Sequence, residues 1–236
     1  MKATVRPYRP EDRDAVRRIC FLTGYMGDPA DWYWRDERSF ADVWSSYYTD
    51  AEPESLFVAD ADGRVVGYLL GCVDSGRAWN PVRIGARHAV GRLCLFRPGT
   101  AGFLWRTILD VALGRLLRRP AMEGSFSDPR WPSHLHINLL PEARGSGAGR
   151  ALMTAWLDRL RAVGSPGCHV ETLAENGRAI AFFKAMGFER HGEPRLVPGE
   201  RSREGGRLHG QVLVQPLVRQ RTQPEGVPAP MLERGT

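Results

Sequence analysis

The period of apolar and polar positions changes several times along the chain, and each change predicts an element. The opening "ATVRPY" alternates over a short run, as an edge strand does. In "RPEDRDAVRRICFL" a proline and acidic residues precede Ala15, Val16, Ile19 and Cys20 on one face, which predicts a helix. Residues 24–48 are rich in aromatics, and their second half, "ERSFADVWSSYY", fits another helix. Two apolar runs flank Asp62-Gly63 in "SLFVADADGRVVGYLLGCVDS", the pattern of a hairpin closed by a tight turn. Further on, "HLHINLL" predicts a strand and "GAGRALMTAWLDRLRAVG" a helix with Leu152, Ala155, Trp156 and Leu160 inward. "CHVETL" is a second strand. "NGRAIAFFKAMGF" is a helix with Ala179, Phe182, Phe183 and Met186 on one face and Gly187 placed to end it. "RLHGQVLVQPL" alternates as a last strand.

Strand, helix, strand, helix with short connections implies a parallel pair around residues 134–173, whereas the hairpin upstream is antiparallel. The sheet is therefore mixed, and the expected class is α/β or α+β with helices on both faces. Between these regions, "GFLWRTILDVALGRLLRR" is amphipathic, with Leu104, Trp105, Ile108, Leu109, Ala112 and Leu116 on one side and Thr107, Asp110 and Arg118 on the other. Such a helix can lie on a membrane surface or on the protein's own core. In a chain of ordinary composition the core is the expected resting place. Residues 219–236 are polar and proline-rich, and read as a disordered tail after a single domain over 1–218.

Composition adds three points. The opening residues have no apolar stretch fit for a signal peptide, and no window is long and apolar enough for a membrane span, so a cytoplasmic protein is expected. Cys20, Cys72, Cys94 and Cys168 are widely spaced, which suits reduced thiols and offers neither a disulfide frame nor a metal site. Third, the net charge of +6 is uneven. Between Ser75 and Arg130 ten arginines stand against Asp110, Glu123 and Asp128, a balance of +7. A basic segment can face nucleic acid, acidic lipid or an anionic ligand. With no nucleic-acid motif beside it, a solvated surface is the reading taken, and neither nucleic acid nor membrane is expected as a partner.

The densest chemistry lies in "LLPEARGSGAGRAL", where Gly145, Gly147 and Gly149 alternate between a strand and a helix, with Arg144 and Arg150 on either side. Bare backbone there lets N–H groups point outward, and the helix N-terminus adds partial positive charge, so the turn can cradle phosphate. A P-loop would need Gly-Lys-Ser/Thr, and here Gly149-Arg150-Ala151 supplies neither lysine nor hydroxyl. A dinucleotide site would need G-x-G-x-x-G with an acid about 20 residues on. Glu171 stands near that distance, but the spacing is G-x-G-x-G and fewer than 70 residues follow. A turn that only packs helix on strand is the plain alternative.

"Arg144-Gly-Ser-Gly147-Ala-Gly149" also resembles the R/Q-x-x-G-x-G/A signature of the GNAT superfamily of N-acetyltransferases. "NGRAIAFFKAMGF" is similar to that family's second motif, N-x-x-A-x-x-F-Y-x-x-x-G-F, and the opening strand and helix and the "ADGRVVGYLLG" hairpin are typical of it too. The likeness spans about residues 3–215, with 75–130 as a basic insertion. More narrowly, "AEPESLFVADADGRVVGYLLGCVDS", "HLHINLLPEARGSG" and "GSPG" resemble bacterial relatives of the acetyltransferase-like domain of O-GlcNAcase.

The resemblance implies a central, mostly antiparallel sheet of about seven strands whose parallel pair splays at the site of acetyl-CoA. It implies transfer of acetyl to a primary amine of a small molecule or protein by direct attack, in a monomer or homodimer. Pantetheine would pair with Leu139 and Leu140, and the pyrophosphate would sit on the turn Arg144, Gly145, Ser146, Gly147, Ala148, Gly149 and Arg150. Asn176 would help hold the cofactor arm, and the backbone N–H of Leu140 would be the oxyanion donor. The family's general acid, the tyrosine of the second motif, is Phe183 here; it keeps a place at the cofactor but has no proton to give. That departure makes a non-catalytic acyl-CoA-binding module the alternative. For a base, His134 and His136 share a strand face and Glu171 stands on the neighbouring strand; of these His136 and Glu171 are taken as candidates, and no metal is implied.

Overall fold

A computed structural model describes residues 2–78, 100–117 and 126–217. The expected tail and most of the insertion, with Cys94, lie outside the described residues. Seven strands form one sheet in the order β1-β2-β3-β4-β5-β7-β6. They are β1 (Thr4–Pro7), β2 (Leu56–Ala61), β3 (Arg64–Cys72), β4 (Ser133–Leu139), β5 (Gly167–Leu173), β6 (Glu189–Arg201) and β7 (Arg207–Pro216). Every neighbouring pair is antiparallel except β4 and β5. The expected mixed sheet with one parallel pair is thus the observed one. Asp62 and Gly63 adopt φ of 53° and 83° and close the β2–β3 hairpin as their sequence demands.

Helices cover both faces. On one side α1 (Arg13–Leu22) and α2 (Glu37–Ala51) pack an aromatic cluster of Tyr25, Tyr33, Trp34, Phe40, Tyr47 and Tyr48 against Val58, Tyr68 and Leu70 of the sheet. On the other, α4 (Ala148–Ala162) buries Leu152, Met153, Trp156, Leu157 and Leu160, and α5 (Gly177–Ala185) adds Ile180 and Phe183. Burying such side chains is worth about 1.5–3 kcal/mol each, and this layer anchors the strands that carry the site.

Two features depart from the sequence pattern. β6 had no clear signature, because Gly192, Pro194, Pro198 and Gly199 interrupt it. Among the described residues it pairs only with β7, and its register slips twice, between His191 and Arg195 and between Leu196 and Arg201. An edge strand tolerates this, since a proline on the open side removes no ladder bond. The second departure is α3 (Ala101–Leu116), the amphipathic helix of the insertion. Thr107 and Asp110 face β6 and Phe103 packs on Tyr33 and Trp34, while Trp105, Ile108, Leu109 and Leu116 face out, the reverse of the orientation expected for those four. Asp110 is 4% exposed, takes the Gly199 N–H at 2.9 Å and pairs with Arg201 at 2.8 Å. That carboxylate needs its partners more than the leucines need burial.

Candidate active site

β4 and β5 meet at only two rungs, Ser133 with Cys168 and His134 with His169, and then run apart. The opening has two differently furnished faces. Leu135, Cys168 and Val170 point into the core under α4. His134, His136, His169 and Glu171 point to the opposite face, towards α2. If the parallel register continued, His136 would sit level with Glu171, so one candidate stands on each bank of the opening.

The backbone beside the opening is set by β3. Leu140 donates its N–H to Val66 O at 2.9 Å. This corrects the oxyanion role expected of Leu140, since its donor is spent on the sheet. Neighbouring residues of a strand turn their peptide groups to opposite edges, so Ile137 and Leu139 direct theirs towards β5. The Leu139 carbonyl is already held by Arg144 Nε at 3.1 Å.

The glycine turn behaves as its sequence demands. Gly145 and Gly147 have φ of 75° and 87°, a conformation that a side chain disfavours, and an added Cβ at either would meet open space. Gly147 caps α4, and the amides of Gly147, Gly149 and Arg150 find no acceptor among the described residues. Ser146 Oγ donates to Ala143 O at 2.7 Å and steadies the turn. Ala148 is buried at the head of the helix, while Arg150 is exposed in its first turn.

Arg144 departs from expectation. Its own amide donates to Pro141 O at 3.2 Å, and its guanidinium turns back to Leu139 O and to Gly27 O. Arg178 does the same from α5, donating to Met26 O at 2.9 Å. Two arginines therefore pin the Tyr25–Asp28 turn beside the glycine turn. No local pattern announces this, because the partners lie more than a hundred residues apart. Asn176 caps α5, its Oδ1 accepting from Ala179 N at 3.1 Å. Phe183 is buried between Phe182 and Phe188 in the core. Phe182 instead reaches the turn, within 3.5–3.6 Å of a Cβ placed on Gly149.

On the α2 side a hydrogen-bond chain fixes proton positions. Ser75 Oγ donates to Pro132 O at 2.7 Å, so His134 Nδ1, also 2.7 Å from that hydroxyl, must be the donor to it. His134 Nε2 then accepts from the Tyr48 hydroxyl at 2.7 Å. Burial, aided by His136 and His169, holds the His134 imidazolium form well below its ordinary range. Burial and His169 bring His136 down to about 4, so both rings are neutral at pH 7. His136 packs edge-on to Tyr48 and Trp44 at 5.6 and 6.3 Å. Burial raises the Glu171 carboxyl above its ordinary value, offset in part by the Phe126 N–H on Oε1 at 2.7 Å. Tyr48 and Trp44 reach this group, whereas Tyr33, Trp34 and Tyr47 are core. His169, whose Nδ1 bonds Trp131 O at 2.7 Å, and Tyr48 became visible as partners only through the fold.

Cys20, Cys72 and Cys168 are buried, and burial pushes each thiol up to about 12. None is an available nucleophile. Among the described residues no group of three or more His, Cys, Asp and Glu could hold a metal.

The model of the acetyltransferase (GNAT) family matches residues 26–188, and the chain belongs to that family. Among solved structures, SsHAT is 26% identical, covering 92% of this chain and 100% of its own at a TM-score of 0.61. The yncA protein of Salmonella typhimurium, solved with its cofactor acetyl-CoA, is 15% identical over 96% of this chain and 100% of its own, at 0.55. A GNAT superfamily phosphinothricin acetyltransferase of Sinorhizobium meliloti in complex with AcCoA is 21% identical over 92% of this chain and 89% of its own, at 0.53. The last two likenesses concern the fold alone.

Proposed function

We propose that the protein is an acetyl-CoA-dependent N-acetyltransferase that acts on a primary amine by direct attack. The observation that carries this is the opening of β4 from β5 between free turn amides at one end and His136 and Glu171 on its banks. The acetyl-CoA complexes of the two fold relatives support the choice of acyl donor. Within the family, we place the chain beside bacterial relatives of the acetyltransferase-like domain of O-GlcNAcase, on the sequence runs quoted above.

Acetyl-CoA supplies an acetyl group activated as a thioester, which a neutral amine attacks without a covalent enzyme intermediate. The amides of Gly147, Gly149 and Arg150 hold phosphate at the N-terminus of α4. Room for the phosphates exists at Gly145 and Gly147, which face open space. The peptide groups of Ile137 and Leu139 present an edge on which the pantetheine arm adds as a strand would, and their N–H groups take over the oxyanion role expected of Leu140. Glu171, its carboxyl raised by burial, receives the proton that the acceptor ammonium gives up, and His136 on the other bank stays neutral and offers no competing charge. Phe183 leaves the thiolate without a protein proton donor at that position, and a thiol pKa near 8.5 makes this tolerable.

Calorimetric titration with acetyl-CoA, beside a Gly147→Glu variant, tests the site. Binding by the wild type and its loss in the variant are expected; absence of binding by the wild type would end the proposal. A Glu171→Gln variant should keep acetyl-CoA binding and lose about 10²–10⁴ in kcat, measured as CoA release with an amine acceptor.

A further inference from the structure

Glu200 of β6 is half-buried, yet among the described residues no hydrogen bond or ion pair reaches its carboxylate. It shares a narrow cleft with Tyr25, Tyr33, Phe103 and two arginines. Both arginines are committed to other groups. Arg106 Nε donates to Gly199 O at 3.4 Å, and Arg201 serves Asp110 and the main-chain carbonyl of Glu200, the latter at 2.8 Å. Burial and the charge of Glu175 raise the Glu200 carboxyl to about 7, and neither arginine brings it down. A carboxylate among aromatic rings with no cation of its own is costly to ionise, and an ammonium group removes that cost.

The strands set this carboxylate near the open end of the splay. Leu140, just past β4, and Leu173, the last residue of β5, pack on the cluster that holds Tyr25 and Tyr33. Leu173 is two positions from Glu171 and so shares its face of the sheet. Glu175 follows two residues further on, and its charge is felt at Glu200. Four residues of chain span at most about 14 Å, which bounds the distance from Glu171 to Glu175.

We propose that Glu200 selects the acceptor, holding the second ammonium of a small aliphatic diamine whose first amino group lies at Glu171. This rests on the acetyl-transfer reading above. The reacting end gives one proton to Glu171 and becomes the free amine. Its nitrogen then bonds the acetyl carbon, the carbon–sulfur bond breaks, and the surplus nitrogen proton leaves with CoA as the thiol. The far end stays an ammonium throughout. Phe103 and Arg106 of the insertion wall the cleft and leave it narrow, which suits an alkyl chain. A lysine side chain of a protein offers the first nitrogen but no second one on the same chain.

Two amines test this at pH 8, the five-carbon diamine cadaverine and pentylamine, which lacks the second nitrogen. Calorimetry on protein saturated with CoA reads the site without turnover, and CoA release from acetyl-CoA reads it during the reaction. The wild type should favour cadaverine by about tenfold or more in both Kd and kcat/KM. Glu200→Gln should bring that ratio close to one, through KM and not kcat, and Glu200→Asp should restore part of it. Wild-type acetyl-CoA binding and unfolding midpoint in Glu200→Gln would show that the change is confined to the acceptor. No binding of cadaverine, equal affinity of the wild type for the two amines, or a preference that survives Glu200→Gln would each overturn the inference and leave acetyl transfer standing. Absence of acetyl-CoA binding would end the acetyl-transfer reading, and this inference with it.

Discussion

α3 and α4 have nearly the same length, and both separate apolar from polar residues by helical period, yet the fold uses them in opposite ways. In α4 the apolar stripe of Leu152, Trp156 and Leu160 is fully buried, and Arg159 and Arg161 lie in the last turn, Arg161 exposed. In α3 the apolar stripe is in solvent and the one acid is buried. The difference lies in what each helix meets. α4 lies on sheet positions filled by Leu69, Leu135 and Cys168, an apolar surface whose one polar contact is Cys168 Sγ accepting from Trp156 Nε1 at 3.4 Å. α3 meets β6, where Arg201 and the Gly199 N–H demand an anion. Amphipathicity tells which residues share a face; the facing element decides which face turns in.

The contrast can be broken from either side. The largest expected effect is Trp156→Ala, which removes a fully buried indole from α4 and should cost about 3–5 kcal/mol in denaturant unfolding. On α3 the comparable loss should come from the polar residue. Asp110→Ala leaves Arg201, which is 15% exposed, without its partner and should cost about 2–3 kcal/mol.

That second effect should depend on pH in a defined direction. Burial alone would raise the Asp110 carboxyl, but the Arg201 and Gly199 hydrogen bonds outweigh it and hold it below its ordinary value of 3.8. A carboxylate depressed in the folded state contributes stability above its unfolded value and loses it as pH falls through the folded one. The stability gap between wild type and Asp110→Asn should therefore be full at pH 7 and shrink below about pH 3.8. A gap unchanged at pH 3 would show that the carboxylate is not the group that orients the helix.

The smallest expected effect is the sharpest contrast with Trp156. Leu109→Glu, a charge placed on the apolar stripe of α3, should shift unfolding by less than about 0.5 kcal/mol. A loss of several kcal/mol there would mean that the stripe is covered in the folded protein.

Much of the geometry of the glycine turn was legible in the chain. The strand from Ser133, the glycine turn and α4 are continuous, and the turn needs glycine at Gly145 and Gly147 because their φ angles are positive. What escaped were interactions between distant residues. Arg144 reads as a phosphate ligand, but its guanidinium reaches across to Gly27. Leu140 reads as a free donor, but a residue on β3 claims its N–H. His134 reads as one of two histidines on a strand, while its tautomer is set by Ser75 and Tyr48 from other elements.

By itself, then, the sequence determined the order of the strands and helices other than β6, the hairpin at Asp62-Gly63, the glycine turn and the inward face of α4. Each of these depends on residues within a few positions of one another, where periodicity and allowed φ are enough. Only the tertiary structure decided the pairing of irregular β6, the outward apolar face of α3, and the splay of β4 from β5 that leaves His136 and Glu171 on opposite banks. Those depend on a partner from elsewhere in the chain, whose charge or hydrogen-bonding demand no local pattern carries.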